Sequence, residues 1–245
     1  MDRFLPPAAS SHAGTIDAML SHVHLMVVAL FTGWALYFVY VLIRYRGGRQ
    51  TAARREGTRG RLAMLVCAGV IAAEAALLVG SALPLWFERT SAATFTGTPV
   101  VIRVVSEQFA WNVHYPGADG QFGTTSLSLV SPENPIGLDR ESRFGRDDLV
   151  TLGDIHLPVN RPVVIELSSK DVIHSFGVPA MRVKQDVIPG LRSPVWFTPT
   201  MAGQFEVACS QLCGVGHHRM RAVITVEDDA AYLKFLADEA RLQLR

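Results

Sequence analysis

Residues 25–43 carry no charge and are rich in Leu, Val, Phe, Tyr and Trp, and residues 62–87 form a second apolar run broken by one charge, Glu74. Each is close to the roughly 20 apolar residues that a helix needs to cross a hydrocarbon core. Nothing polar alternates along either run, as it would on the surface helix of a soluble protein. Residues 44–61, between them, hold seven arginines and one glutamate. A short basic loop between two spans stays on the cytoplasmic side. The pattern predicts a helical hairpin with its tip inside, and with the N-terminus and everything after residue 87 outside. A cleavable signal peptide is the competing reading of the first run. The long stretch before it, with Pro6 and Pro7, and the absence of a clear cleavage site after it speak against that reading. A charge at Glu74, near mid-span, is costly. It reads either as functional or as a neutral acid bonded to a neighbouring chain.

Beyond Pro84 the period changes. Residues 101–105 are a β-rich run, and Phe109, Trp111, Val113 and Tyr115 then alternate with more polar neighbours. Turn signals follow at Pro116 with Gly117, Asp119 with Gly120 and Phe122 with Gly123. Residues 127–148 have little periodicity and several charges, and read as a loop insertion. Strand signals return at residues 150–152, 163–167 and 193–197. They return again where Phe205, Val207 and Cys209, and later Met220, Ala222, Ile224 and Val226, alternate with their neighbours. Residues 227–244 read as a helix capped near its start by Asp228 or Asp229. Many short strands between turns, with no intervening helices, predict a β-sandwich or barrel. The chain thus divides into residues 1–90, an N-terminal segment with a two-helix transmembrane hairpin, and residues 91–245, an external β domain with a short C-terminal helix.

Composition narrows the function. Hydrophobic residues make up 49% of the 245 and charged residues 18%, apolar for a wholly soluble domain. A net charge of +1 argues against nucleic acid as a partner. Three cysteines are too few for a disulfide scaffold. Cys67 lies in the second apolar run, whereas Cys209 and Cys213 sit close together.

Residues 209–220 read CSQLCGVGHHRM, between two predicted strands. Cys209, Cys213, His217 and Met220 are four soft or borderline ligands within twelve residues, and His174 in KDVIHSFGVP is a fifth. Sulfur and imidazole together suit copper and zinc. Zinc has little use for Met220, and its knuckles favour Cys-x2-Cys over Cys-x3-Cys. A Cys209–Cys213 disulfide would leave the histidines unexplained. A mononuclear blue-copper site would leave one cysteine surplus. A pair of thiolates bridging two coppers uses every candidate. His218, beside His217, reads as a surface residue. His22 and His24 read as lying at the membrane interface, and His114 and His156 as lying on strands or loops.

The motif resembles the CuA site of cytochrome c oxidase subunit II, a family with the pattern Cys-x-Glu-x-Cys-Gly-x-x-His-x-x-Met and an upstream histidine. Cys209, Cys213, Gly214, His217 and Met220 match it. HSFGVPAMRVKQDVIPG, residues 174–190, is similar to the family's upstream stretch, and two spans and a Gln-aromatic segment at residues 108–111 precede it. The resemblance implies a cupredoxin-like Greek-key fold. It implies Cys209 and Cys213 as bridging thiolates, His174 and His217 as nitrogen ligands, Met220 through sulfur, and the backbone carbonyl of Gln211 as the last, weak ligand. It further implies a subunit of a terminal oxidase in the inner membrane. Such a subunit takes electrons from a c-type cytochrome and passes them to haem in subunit I, with subunits I and III and the lipid bilayer as partners. It would itself reduce no oxygen.

The chain departs from the family in three places. Gln211 replaces a glutamate that helps to hold magnesium, and loss of that charge weakens the case for magnesium here. Phe109 stands where the family has the tryptophan that takes up electrons. Trp111, two residues on, is either that residue or part of the core, with the core favoured. The family's channel glutamate falls near Cys67, so its role does not transfer to Glu74. No Cys-x-x-Cys-His motif is present, so the donor is expected to be a separate molecule. The alternatives are a membrane-tethered copper-binding or assembly protein and the CuA component of another respiratory reductase. A quinol oxidase subunit would lack the copper ligands.

Overall fold

The computed structural model describes residues 5–47, 60–90 and 97–243. Two compact units emerge, residues Thr15–Ala93 and residues Met1–Gly14 with Thr94–Arg245. The boundary expected between residues 90 and 91 falls where the description stops, and most of the arginine-rich loop lies outside the described residues.

In the first unit α1 spans Ala13–Arg44, twelve residues further towards the N-terminus than the uncharged run alone suggests. α2 spans Arg61–Leu77, and one π-helical turn, Leu78–Ala82, joins it to α3, Leu83–Thr90. Pro84 sits one residue into α3 and offers no amide to the preceding turn, which accommodates a locally widened helix. α1 and the stretch from α2 through α3 are long and apolar enough to cross a membrane, and none of their apolar windows is buried within the chain. Leu25, Phe31, Trp34 and Leu65 are all exposed. Side chains of this kind, exposed in rows, need lipid or protein around them rather than water. Cys67 and Glu74 are exposed on α2.

The second unit is a sandwich of two five-stranded sheets. In chain order the strands are β1 (Val100–Glu107), β2 (Ala110–Tyr115), β3 (Leu149–Leu152), β4 (Asp154–Pro158), β5 (Val163–Ser169), β6 (His174–Val178), β7 (Val183–Val187), β8 (Ser193–Phe197), β9 (Gly203–Cys209) and β10 (Arg221–Glu227). One sheet runs β3-β2-β1-β5-β8 and the other β4-β10-β9-β6-β7. β1 with β5 and β4 with β10 are parallel, and the remaining pairs are antiparallel. Alternation dictates the core: Ile102 and Val104 of β1, Ile165 and Leu167 of β5, Val207 of β9 and Ile224 of β10 meet between the sheets with Trp111, Phe176 and Phe197. This is the β-sandwich that the strand pattern predicted, in the cupredoxin-like form that the resemblance implied.

Three strands carried no recognisable signal. All five residues of β6 are buried, so it shows no two-residue period. β7 is polar through its middle, and β4 is short and ends in Pro158. The C-terminal helix α4 spans Asp229–Gln243, with Asp228 as its cap: the Asp228 carboxylate accepts from the Ala231 amide at 2.8 Å.

A short N-terminal strap completes this unit. Ala9 donates to the Ala180 carbonyl at 2.8 Å, Ser11 to Thr198 at 3.0 Å, and Thr200 returns a bond to Ala9 at 2.9 Å. The Ser10 hydroxyl donates to the Met181 carbonyl, and Arg182 donates to the carbonyl of Pro6 at 2.8 Å.

Candidate metal centre

The β9–β10 hairpin sets the geometry of the centre. Cys209 is the last residue of β9, and Met220 immediately precedes β10. The Cys209 amide donates to the Met220 carbonyl at 3.2 Å, so the two side chains start from adjoining points. Between them the chain turns through Gly214 and a single 3-10 turn at His217–Arg219, with the His217 amide bonded to the Gly214 carbonyl. β6 lies beside β9, Phe176 opposite Cys209, and delivers His174 from its first position.

All six ligands expected from the family pattern are thereby brought together. The Cys209 and Cys213 sulfurs are 3.8 Å apart. His174 Nδ1 is 3.9 Å from Cys209 Sγ, and His217 Nδ1 is 3.6 Å from Cys213 Sγ. Met220 Sδ lies 3.8 Å from Cys213 Sγ, and the Gln211 carbonyl oxygen lies 3.2 Å from Cys209 Sγ. Each sulfur therefore has one imidazole and one weaker donor beside it. His174, Cys209 and Cys213 alone offer three donor atoms within 4.8 Å of one another. His174 and Met220 are almost wholly buried, and His217 is half-buried.

These distances suit metal and not a disulfide. A disulfide needs about 2.05 Å between sulfurs, and both cysteines are free. Two sulfurs 3.8 Å apart can share one ion, since the separation is less than twice a metal–thiolate bond of about 2.3 Å. Three sulfurs and two imidazoles form a soft donor set, which favours copper. A tetrahedral zinc ion would leave Met220 unused. Without metal, burial and then the adjacent Cys209 push the Cys213 thiol up to about 11. It therefore stays protonated at neutral pH until an ion displaces the proton.

Asp171 backs His174. Its Oδ1 accepts from His174 Nε2 at 2.9 Å. Burial alone would raise its carboxyl, but hydrogen bonds from His174 and from the amides of Gln108 and Val172 outweigh burial and hold it below the usual carboxylate range. No sequence pattern marks Asp171, because its role depends on which nitrogen of His174 faces the sulfurs.

The two aromatic candidates occupy different places. Trp111 is fully buried, edge-on to Phe176 at 5.5 Å and to His174 at 6.1 Å, which fits its reading as core. Phe109 lies in the turn before β2 and not on the strand, so the face-sharing expected from a two-residue period does not hold. Its ring lies against the ligand loop, where a side chain at Gly216 would overlap it; Gly214, at φ +139°, is similarly crowded.

The other histidines stand apart from the centre. His218 is exposed. His114 bonds buried Asp148 at 2.5 Å, and His156 bonds Glu227 at 2.7 Å while stacking on Phe235. His22 and His24 are exposed on α1.

Fold and donor set together define a cupredoxin-like metalloprotein domain carried with two membrane-length helices. The profile of the family described as cytochrome c oxidase subunit II, periplasmic domain, matches residues 100–227. The alternative cytochrome c oxidase subunit 2 of Bradyrhizobium diazoefficiens is 34% identical over 229 residues, covering 92% of this chain and 80% of that protein. The cytochrome c oxidase subunit 2 of Cereibacter sphaeroides is 28% identical over 246 residues, covering 96% and 79%. A crystal structure of the periplasmic domain of subunit II of cytochrome oxidase of Bradyrhizobium japonicum superposes with a TM-score of 0.44 at 26% identity, covering 60% of this chain and 99% of that one. The chain belongs to the cytochrome c oxidase subunit II family.

Proposed function

We propose that this chain is the electron-accepting subunit of a haem–copper terminal oxidase, with a dinuclear CuA centre held by His174, Cys209, Gln211, Cys213, His217 and Met220. One observation carries the reading: two facing thiols, each with its own imidazole and its own weak donor. Copper bound there supplies one-electron exchange with little change of geometry. The residues do the rest. Cys209 and Cys213 would hold it through their thiolates and His174 and His217 through ring nitrogens, and burial of His174 and Met220 keeps water from the donors. Single electrons come from a separate c-type cytochrome and leave for haem in subunit I, where oxygen is reduced. Subunit III completes the partners. Gln211 contributes its carbonyl and brings no carboxylate for magnesium.

The strap bears on the membrane arrangement. Residues 6–11 bond to the β unit, which supports an even number of crossings between them. Two spans with the arginine-rich loop inside satisfy that condition and leave the copper domain outside the inner membrane. Leu212 and Val215, exposed in the ligand loop, give a redox partner an apolar surface directly beside the donors.

The test is oxygen uptake by the assembled oxidase with a reduced c-type cytochrome as sole donor. Wild-type oxidase is expected to turn over, and the Cys213→Ser oxidase to lose this activity although subunit I still binds haem. Undiminished turnover by the variant would overturn the reading.

A further inference from the structure

Asp171 is outside the donor set, yet each of its oxygens is committed to a different side of the centre. Oδ1 accepts from His174 Nε2 at 2.9 Å and from the Val172 amide at 2.6 Å. Oδ2 accepts from the Gln108 amide at 2.7 Å. Gln108 in turn donates from Nε2 to the Cys213 carbonyl at 2.5 Å, and the next residue, Phe109, presses its ring on Gly214 and Gly216. Three segments far apart in sequence are closed into one circuit: the turn before β2, the loop before β6 and the ligand loop before β10.

We propose that Asp171 is a positioning residue that presets the empty centre, fixing the His174 tautomer with one oxygen and clamping the Gln108–Phe109 turn onto the ligand loop with the other. The inference rests on reading the centre as a copper site and adds what forms that site before copper arrives. An ionised carboxylate only accepts hydrogen bonds, so His174 Nε2 must carry the proton. Nδ1 is then bare, and it is the nitrogen that faces Cys209 Sγ. The hydrogen bond on one ring nitrogen decides which nitrogen a metal can use. His217 has no carboxylate partner of this kind among the described residues. The two imidazoles are therefore unequal: His174 is buried and locked, and His217 is half-buried and held by its loop alone.

The second oxygen has a separate consequence. If Gln108 loses its anchor at Asp171, its side chain loses its aim at the Cys213 carbonyl, and the Phe109 ring loses its seat on the ligand loop. Asp171→Ala removes both functions. Asp171→Asn keeps one acceptor and loses the other, so it separates them by degree.

The experiment uses the full chain in detergent. In the metal-free wild type, nitrogen-15 chemical shifts are expected to report His174 protonated at Nε2 and bare at Nδ1. Asp171→Ala is expected to give a mixture of tautomers. Copper competition against a soluble chelator is expected to show affinity about 10–100-fold weaker in Asp171→Ala, the range for loss of such a partner, with Asp171→Asn between it and wild type. A wild-type His174 bare at Nε2, or wild-type tautomer and copper affinity in Asp171→Ala, would overturn the proposal. Should Asp171→Ala fail to fold, Asp171→Asn decides through the same two readouts. The tautomer measurement needs no metal, so it stands even if the wild-type protein binds no copper, which would instead sink the functional reading.

Discussion

The two units of this chain follow opposite rules for the same kind of side chain. On α1 and α2 the large apolar residues Leu25, Phe31, Trp34 and Leu65 all point outward. In the β sandwich Ile102, Val104, Trp111 and Phe176 are all at zero exposure. The first pattern holds together only where lipid replaces water; the second makes its own apolar phase between two sheets. A chemical site follows the second rule. Donors fixed by a packed sandwich keep their spacing, because each strand end is held by its neighbours. The centre lies where β6 meets the β9–β10 hairpin, at the margin of that core, with Leu212 and Val215 of its loop exposed.

This contrast can be broken at graded cost. The largest effect is expected from Cys213→Ser. On the proposed reading it removes one of the two shared thiolates, so two-copper binding should be lost altogether, read by elemental analysis, while circular dichroism shows the sandwich still folded. Trp111→Ala should come next. It empties a fully buried site and should cost about 3–5 kcal/mol in denaturant unfolding, with the centre disturbed through His174. Gly216→Ala adds a methyl group where the Phe109 ring lies. Overpacking of this kind costs about 1–3 kcal/mol, and it should weaken copper retention more than it lowers the melting temperature, because the loop gives way before the sheets do. Asp228→Ala, which removes the cap of α4 far from the centre, should cost about 1 kcal/mol and leave copper content unchanged. Trp34→Ala on α1 should shift unfolding of the β unit by less than about 0.5 kcal/mol. A shift as large as that of Trp111→Ala would erase the distinction between the two units.

What could be read from the sequence follows the same division. The spans were legible because lipid demands length and lack of charge, both of which are local properties. The strands facing water on one side, such as β1, β9 and β10, were legible by alternation. β6 was not, since a strand buried on both faces loses its period, although it supplies His174. The ligands stood out because four of them fit in one hairpin loop. Asp171 did not stand out, and Gln108 was visible only as the start of a Gln-aromatic segment, because a second layer of hydrogen bonds is set by tertiary approach and leaves no spacing along the chain. The N-terminal strap was missed for a related reason: its bonds to Ala180 and Thr198 join backbone groups that every sequence possesses. Position in the fold likewise separates the two aromatics. Trp111 is sealed in the core, whereas Phe109 rests on the ligand loop.

The most direct measurement is metal analysis of the purified, oxidised full chain together with its paramagnetic resonance spectrum. The account predicts two coppers per chain and a seven-line hyperfine pattern from one electron shared equally between them. One copper with an intense blue absorption band, or zinc, or a metal-free Cys209–Cys213 crosslink would contradict it.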